Sequence, residues 1–179
     1  MADCLESYCG IYCGACSVLR YASTGHSDAF LNSCSSLPKN ALVCRGCKSG
    51  TLYAGCRTCE VRECASQRGV TQCAQCAEYP CRTYKRLRST RRILPHLWER
   101  APNLAAITQH GMDAWLAEQE KRWSCPECGT RFSWYTAACT QCGRSLASEA
   151  YTLSGVRKLL CQWLLPMLYR RGKAKEESA

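Results

Sequence analysis

The chain has 179 residues, of which 18 are cysteines and only two are phenylalanines. Burial of large apolar side chains alone would stabilise such a chain poorly, so we expect disulfides or metal ions to hold it. The N-terminus has neither the basic nor the apolar region of a signal peptide, and no apolar stretch reaches the ~20 residues that span a bilayer. We therefore expect a cytoplasmic protein with no transmembrane segment, whose reduced cysteines bind metal or carry redox chemistry.

The formal net charge of +10 overstates how basic such a protein is. Four thiolates around one Zn²⁺ carry a net charge of −2, which the formal count omits. Four such sites would lower the charge from +10 to about +2. The total therefore gives little support for a nucleic-acid partner, and the positions of the charges matter more.

The cysteines are unevenly distributed, and this divides the sequence into regions. Thirteen of the 18 lie before residue 82, four lie between residues 125 and 142, and one follows. We predict a small, metal-stabilised α+β fold. Its expected parts are an irregular cysteine-rich metal-binding domain at 1–90, a helical connector at 91–122, a zinc ribbon at 123–146, and an amphipathic helix with a charged tail at 147–179.

The first cysteine motif is Cys9-x3-Cys13-x2-Cys16. One interpretation is a zinc site that either Cys4 or Cys34 completes. A second is a [4Fe–4S] cluster with one open iron, as in radical S-adenosylmethionine enzymes, although the alternating strands and helices of their barrel are not apparent here. Free redox thiols are the third. Thiolate ligands suit both zinc and iron–sulfur clusters, so ligand type does not choose between them.

After a first C-x2-C pair, the spacing C-x2-C-x4-C occurs twice, as a short internal repeat. The cysteines concerned are Cys44, Cys47, Cys56, Cys59, Cys64, Cys73, Cys76 and Cys81. In one grouping the first four share a metal site and the last four share another. An interleaved grouping, for example of the 56/59 pair with the 73/76 pair, fits the spacing equally well.

Residues 82–92 carry six basic residues and no acidic one, on a predicted helix next to the cysteines. Such a stripe can contact phosphates, so it is a candidate contact for nucleic acid or for another protein. The alternative is a solvated face that balances the negative metal–thiolate sites. Further along, a short helix is expected at 103–110, stopped by Gly111, and a second helix is expected to align Trp115 and Trp123 on one side.

The clearest motif is Cys125-Pro-Glu-Cys128-Gly followed, ten residues later, by Cys139-Thr-Gln-Cys142-Gly. Two such knuckles are what a tetrahedral structural zinc requires, because each turns two sulfurs towards one ion. The segment 130–136 between them is expected to form a hairpin. All four positions are cysteine, which leaves no position for water or substrate, and a rubredoxin-like iron site is the main alternative.

The last predicted helix has apolar residues at helical spacing from Val156 to Leu168. Pro166 is expected to break or kink it near Leu165. We expect this helix to pack on the core, with Cys161 as an inert buried thiol. Contact with a membrane surface or a partner through residues 155–175 is the alternative.

Four cysteine groups occur in order and carry a family resemblance. They are Tyr8-Cys-Gly-Ile-Tyr-Cys-Gly-Ala-Cys16, Cys44-Arg-Gly-Cys47, Cys56-Arg-Thr-Cys-Glu-Val-Arg-Glu-Cys-Ala65 and Cys73-Ala-Gln-Cys-Ala-Glu-Tyr-Pro-Cys81. Over residues 4–90 the chain resembles a bacterial and archaeal cysteine-rich family, domain of unknown function 3795, and some members are similar at 114–125 and in the ribbon. The resemblance implies a prokaryotic, cytosolic, metal-binding protein, and it implies no reaction. Cys4 and Cys34 lie outside the family pattern.

Three functional hypotheses follow. The sequence shows no Ser-His-Asp set, no phosphate loop and no carboxylate pair placed for acid–base chemistry, so we favour a protein without enzymatic activity. The first hypothesis is a zinc-binding interaction module with about three to four Zn²⁺ per chain. The second is an iron–sulfur or thiol redox protein that uses Cys9, Cys13 and Cys16, with a [4Fe–4S] cluster in the N-terminal region. The third is a metal-handling or metal-sensing protein.

The predicted metal ligands are Cys9, Cys13, Cys16, Cys44, Cys47, Cys56, Cys59, Cys64, Cys73, Cys76, Cys81, Cys125, Cys128, Cys139 and Cys142. No catalytic residue is predicted. The three histidines have no cysteine at ligand spacing, and we expect them to be surface or packing residues.

Overall fold

The computed structural model describes residues 3–34, 37–86, 93–153 and 155–177. These residues form eight α-helices joined by loops and short 3₁₀ turns. The helices are α1 (Ser17–Thr24), α2 (Ala29–Ser33), α3 (Ala54–Arg57), α4 (Glu60–Gln67), α5 (Arg82–Arg86), α6 (Arg100–His110), α7 (Met112–Arg122) and α8 (Gly155–Glu177). The 3₁₀ turns are Cys13–Ala15, Lys39–Ala41, Cys73–Gln75 and Pro95–Glu99.

The expected α+β class is wrong for these residues, which are mostly helical. Extended pairing within the described part of the chain is limited to two isolated antiparallel bridges, Ser124 with Arg131 and Ala138 with Ser145. Each bridge closes one cysteine knuckle of the ribbon. A knuckle is too short to extend the pairing, since its few residues are used in the turn that aims the two sulfurs.

The hairpin expected at 130–136 is also replaced by a turn, in which the Thr136 N–H donates to the Ser133 carbonyl at 3.1 Å. The next backbone group bonds to another part of the protein, because the Trp134 N–H donates to the Ala15 carbonyl at 3.0 Å. Backbone groups that could have paired across a hairpin therefore attach the ribbon to the N-terminal region.

The ribbon and the N-terminal region share one apolar core. Phe30 of α2 stacks on Tyr135 of the ribbon with ring centroids 5.3 Å apart. Tyr12 meets Trp115 of α7 edge-on at 5.9 Å. Both pairs are within the range in which aromatic rings attract one another beyond simple burial. The core of this chain thus depends on tyrosine and tryptophan where phenylalanine is scarce.

The predicted helices of the connector are present. The predicted helix at 103–110 is the main part of α6, which ends at Gly111, a residue with a φ of 85°. Trp115 and Trp123 are both buried, as the helical spacing predicts. The Trp123 indole N–H donates to the Gln119 side-chain oxygen at 3.3 Å, which satisfies a polar group inside the core.

Helix α8 continues through Pro166, so a break near Leu165 is wrong, while the alternative of a kink there stays a prediction. Tertiary packing on one side of the helix outweighs the proline. Tyr169 stacks on Tyr53 at 6.3 Å, and Gly172 lies so close to α3 that an added Cβ would be 1.8 Å from the Ala54 carbonyl oxygen. Cys161 is fully buried, as expected of a packing thiol.

The opposite side of α8 carries exposed apolar side chains. The most exposed of them is Trp163, with 82 % of its surface accessible. No helix among the described residues has the length and apolar character that crossing a membrane requires. Contact of residues 155–175 with a membrane surface or a partner therefore stays a prediction.

The basic stripe at 82–92 falls only partly within the described residues. Helix α5 covers its first five residues, and Arg86 forms a surface ion pair with Glu60 of α4 at 2.7 Å. Residues 87–92 lie outside the described part of the chain, so the nucleic-acid or protein contact at 82–92 stays a prediction.

Candidate metal centres

The two knuckles of the ribbon have the same backbone geometry. In each, the first cysteine donates its N–H to the carbonyl five residues later, at 2.8–2.9 Å. The glycine after the second cysteine donates to the carbonyl of the first, at 2.8–3.0 Å. Gly129 and Gly143 adopt φ values of 73° and 74°, a left-handed conformation that glycine adopts at little cost. The C-x2-C-G pattern therefore sets the shape of both turns.

These turns bring four sulfurs together. The Sγ atoms of Cys125, Cys128, Cys139 and Cys142 all lie within 4.8 Å of one another. Cys125 and Cys142 are 3.7 Å apart, and Cys128 and Cys139 are 3.5 Å apart. A tetrahedron of sulfurs about 2.3 Å from a zinc ion has an edge of about 3.8 Å. The group therefore fits a single tetrahedral metal ion.

The ribbon thiols do not ionise alike. Hydrogen bonds of Cys128 with the Thr130 hydroxyl and N–H lower the pKa of Cys128 to about 6. Backbone N–H groups also lower the pKa of Cys139. The Arg144 N–H acts in the same direction at Cys142, but burial and the neighbouring thiols raise the pKa of Cys142 to about 12. Thiolates this close repel one another, so four of them require a cation at their centre.

We call the eleven cysteines of the family motifs the N-terminal array: Cys9, Cys13, Cys16, Cys44, Cys47, Cys56, Cys59, Cys64, Cys73, Cys76 and Cys81. Elements far apart in sequence bring these thiols together. Among the described residues, the ribbon is the only group of three or more candidate ligands whose atoms all lie within 4.8 Å of one another. The sulfurs of the array are therefore farther apart than those of the ribbon. Neighbouring thiols in the array are recognised by their effect on one another's pKa values or by a shared cavity.

A first set of thiols affect one another's pKa values: Cys13, Cys16, Cys44, Cys47 and Cys56. Burial, followed by the thiols of Cys16 and Cys44, raises the pKa of Cys56 well above its usual value. Burial and the Cys44 thiol likewise raise the pKa of Cys16 to about 12. Cys16 is the residue before α1, and the Leu19 and Val18 N–H groups lower its pKa by less than burial raises it.

A second group lines a cavity of about 20 Å³ between α4, α5 and the 3₁₀ turn at Cys73–Gln75. Its thiols belong to Cys64, Cys73, Cys76 and Cys81. A space of this size holds about one ion or one water molecule. These are the last four cysteines of the repeat, which one of the two sequence groupings assigns to a common site; the ligand assignment itself stays a prediction.

Cys9 and Cys59 remain, and both thiols also act on Cys47. Burial and the Cys9 thiol raise the pKa of Cys47 to about 12, and the same two causes raise the pKa of Cys59. Burial and the Cys9 thiol also raise the pKa of Cys73 to about 12, so Cys9 also lies near a thiol of the second group. Cys47 is thus a neighbour of both Cys9 and Cys13, which share one sequence motif.

The cysteines outside the array and the ribbon have other surroundings. The Cys34 thiol donates to the Cys161 carbonyl at 3.4 Å, in a buried contact between α2 and α8. The Cys4 thiol donates to the Glu6 carbonyl at 3.6 Å, and Lys48 pairs with the Glu6 carboxylate at 3.4 Å. Both cysteines therefore have protein partners of their own.

Two arginines that the sequence did not single out approach the array. Arg68 lies just after α4, with one guanidinium nitrogen 3.6 Å from the Cys76 sulfur and 2.8 Å from Glu78. Arg100 is buried at the start of α6, where its charge acts on the thiols of Cys59 and Cys73. Linear spacing contains no signal for such cations, because the fold brings them from other elements.

Residues 5–86, just under half of the chain, match the model of a family described as "Protein of unknown function (DUF3795)". This match supports the resemblance seen in the cysteine motifs, and it covers the N-terminal array but not the ribbon. No curated protein and no solved structure matches the chain. Because the family description names no reaction, a function has to be argued from the chemistry of the sites.

Proposed function

We propose that this protein is a zinc–thiolate protein, in which closed metal sites hold together a small module for binding another molecule. The observation that supports this most directly is the spacing of the ribbon sulfurs. Their separations of 3.5 and 3.7 Å are close to the edge of about 3.8 Å that a Zn(Cys)4 tetrahedron has. The ribbon contributes four thiolates and no other donor, which matches structural rather than catalytic zinc sites.

The position of the ribbon supports a structural role for its metal. The Arg20 guanidinium of α1 donates to the Arg131 carbonyl at 3.1 Å, and the Ser133 hydroxyl donates to the buried Asp28 carboxylate. The Ala29 N–H donates to the Tyr135 carbonyl at 3.3 Å. An ion that fixes the knuckles therefore also fixes the surface on which α1 and α2 pack.

Two further zinc sites in the array are part of the same proposal. The first draws its four ligands from Cys13, Cys16, Cys44, Cys47 and Cys56, and the second comprises Cys64, Cys73, Cys76 and Cys81. The thiols of the first affect one another's pKa values, and a cavity of about 20 Å³ is lined by the four thiols of the second. With the ribbon, this gives three closed sites and at least three ions per chain.

An iron–sulfur centre built on Cys9, Cys13 and Cys16 is the competing function. Such a centre needs the three thiols to face one cluster. The Cys9 thiol raises the pKa values of Cys47 and Cys59, whereas the thiols that raise the pKa of Cys13 are Cys47, Cys16 and Cys44, and the thiol that raises the pKa of Cys16 is Cys44. This arrangement favours separate sites over one reactive cluster.

The test is elemental analysis and native mass spectrometry of the full chain, purified without oxygen. We expect a colourless protein with at least three zinc ions and no stoichiometric iron. A brown protein that contains iron and inorganic sulfide would replace zinc by iron–sulfur clusters in the array. A metal-free, folded protein would overturn the proposal as a whole.

A matched pair of variants locates one of these ions. Cys139→Ser removes a ribbon ligand and is expected to lose one zinc while the array stays loaded. Cys34→Ser changes a cysteine that is also buried but contacts α8 instead of other candidate ligands. It is expected to keep every ion. Equal metal loss in the two variants would mean that loss reflects unfolding and not the removal of a ligand.

A further inference from the structure

Helix α8 is apolar on two sides, and only one of them packs on the protein. On the packed side, Cys161 is fully buried and Gly172 lies against the Ala54 carbonyl of α3. The other side carries a row of exposed apolar side chains, which we call the exposed row: Val156, Leu159, Leu160, Trp163 and Met167. A helix that is apolar all round is ordinarily buried all round, and a large exposed apolar patch marks a contact surface.

The exposed row forms one continuous surface. Its members follow the spacing i, i+3, i+4, i+7 and i+11, which aligns side chains along one face of an α-helix over roughly 17 Å. Its central part borders an open groove of about 770 Å³. The packed side holds this face outward, because the Cys161 carbonyl accepts the Cys34 thiol of α2 and Tyr169 stacks on Tyr53 at 6.3 Å.

Basic residues flank the exposed row. From residue 150 to residue 175 the sequence contains six basic residues and no acidic one. Arg170 and Arg171 border the groove at the C-terminal end of the row. Arg157 and Lys158 are exposed near its N-terminal end. Such a surface fits a partner that is apolar at its centre and anionic around it.

A second copy of this chain fits the exposed row less well. If two α8 helices packed face to face in parallel, Arg170 and Arg171 would meet their own copies. In an antiparallel pair they would meet Arg157 and Lys158. Neither orientation brings an acidic side chain from the segment 150–175 to these positions, so like charges repel in both.

The surface of a bilayer that contains anionic lipids has the complementary character. A helix that lies in this interface places its apolar face about 5–10 Å into the boundary between headgroups and acyl chains. Tryptophan is enriched at that depth, because its ring is apolar and its indole N–H is polar. Trp163 is such a side chain, in the middle of the exposed row and 82 % exposed. Long basic side chains beside the row can reach the lipid phosphates.

We propose that the exposed row of α8 docks on the surface of a membrane that contains anionic lipids, with Trp163 in the interface and the flanking basic side chains on the lipid phosphates. This inference rests on the function proposed above, because it names the kind of partner that the metal-stabilised module binds. It does not depend on which cysteines of the array share a metal site.

Flotation of the zinc-loaded full chain with lipid vesicles tests the docking. Phosphatidylcholine vesicles that contain about one third phosphatidylserine should carry the protein up the density gradient, and vesicles of pure phosphatidylcholine should carry far less. Added salt should weaken the binding, because it screens the charged contacts. Equal binding to both kinds of vesicle, or binding to neither, would overturn the proposal.

Zinc analysis of the same sample separates the two proposals. A zinc-loaded protein that does not float refutes the docking and leaves the zinc–thiolate function in place. A folded protein without zinc refutes the function.

Trp163→Ser tests the apolar part of the surface. Loss of this large side chain from the interface should lower the affinity for the anionic vesicles at least about tenfold, and Trp163→Phe should retain part of it. Trp98→Ser is the matched control, since Trp98 is also exposed but belongs to the 3₁₀ turn Pro95–Glu99 and not to α8. The control should bind as the wild type does, and equal loss in the two serine variants would overturn the role of the row.

The double variant Arg170→Gln, Arg171→Gln tests the charged part. Each basic residue near an anionic surface contributes about fivefold to binding, so the pair should weaken it roughly 30-fold. The control Lys85→Gln, Lys121→Gln removes the same charge from exposed positions of α5 and α7. Its binding should change by less than about threefold, since these positions are not in the docking face. Equal weakening in the two double variants would show that only the total charge matters and would overturn docking through α8.

Sedimentation of the same proteins without lipid identifies the other possible occupants of the row. The proposal predicts a monomer. A dimer that Trp163→Ser dissociates would assign the exposed row to a second copy of the chain and overturn the membrane proposal. A monomer that floats with neither kind of vesicle would leave the row to a protein partner and would overturn it as well.

Discussion

The ribbon and the N-terminal array use the same ligand in opposite ways. In the ribbon, two knuckles ten residues apart turn four sulfurs towards one point, and nearly all of the geometry is local. In the array, the thiol of Cys16, just before α1, interacts with those of Cys44 and Cys56. These two cysteines lie roughly 30 and 40 residues further along the chain. One region shapes its site by backbone turns, and the other shapes its sites by packing helices.

This difference predicts different responses to metal loss. A site made by local turns can lose its ion and leave the rest of the core in place. A site made from distant segments also ties those segments together, so its binding free energy contributes directly to folding. We therefore expect the array to be the more metal-dependent of the two regions, and the following experiments test that comparison.

Complete removal of metal is expected to have the largest effect. A strong chelator applied to the full chain should abolish the cooperative thermal transition and most of the far-UV helical signal, because the array segments separate. Adding zinc back should restore both. Circular dichroism through the titration makes the measurement, and a stripped protein with an unchanged melting temperature would show that packing alone maintains the array.

Cys16→Ser should destabilise the protein more than Cys34→Ser. Both thiols are in the N-terminal region and burial raises both of their pKa values, but only Cys16 faces other array cysteines. Loss of a metal ligand should cost about 5 kcal/mol, or roughly 10–20 °C in melting temperature, against about 1–2 kcal/mol for a buried packing thiol. Calorimetry with metal analysis of both variants tests this. Equal destabilisation would remove the distinction between array and packing cysteines.

Acid should weaken the junction between the ribbon and the rest of the molecule through His96. Burial lowers the pKa of His96 to about 3, and its ring stacks on Trp134 at 3.9 Å while its Nδ1 lies 2.8 Å from the Tyr135 hydroxyl. Because the pKa of His96 is lower in the folded state, neutral His96 contributes fully to the free energy of unfolding above its unfolded pKa of about 6.5. That contribution is lost as the pH falls towards 3. Between pH 7 and 5.5 the loss is about 1 kcal/mol.

His96→Phe keeps the stacked ring and removes the titrating group. The stability difference between wild type and variant should change over this pH range, while thiolate protonation affects both proteins alike. Chemical denaturation at pH 7 and pH 5.5 measures it. A difference that does not vary with pH would show that His96 is not the titrating group.

A last comparison isolates the local geometry of the ribbon. Gly143→Ala forces a left-handed residue with φ of 74° to carry a Cβ, which no neighbour within 4 Å obstructs. The cost is backbone strain of about 1–2 kcal/mol. Gly25→Ala, at the C-cap of α1, has the same φ and the same open surroundings. Only the first should weaken zinc binding in a chelator competition, although both should lower stability similarly.

The sequence determined the features that depend on short spacing. The positions of the ribbon thiols follow from two C-x2-C-G repeats, because each repeat fixes a turn, and the buried faces of α6 and α7 follow from helical periodicity. The match to the cysteine-rich family likewise depends on motifs that can be recognised in the linear sequence.

Only the tertiary structure decided the features that depend on distant contacts. The predicted α+β class failed because the ribbon backbone bonds to Ala15 and not across a hairpin, and the predicted break at Pro166 failed because α3 supports the helix from one side. The same holds in the array. Spacing places Cys9 with Cys13, but the tertiary packing around Gly10 also brings Cys9 near Cys73. Sulfurs within a motif are linked by the chain, but the partners they meet are set by which helices pack together.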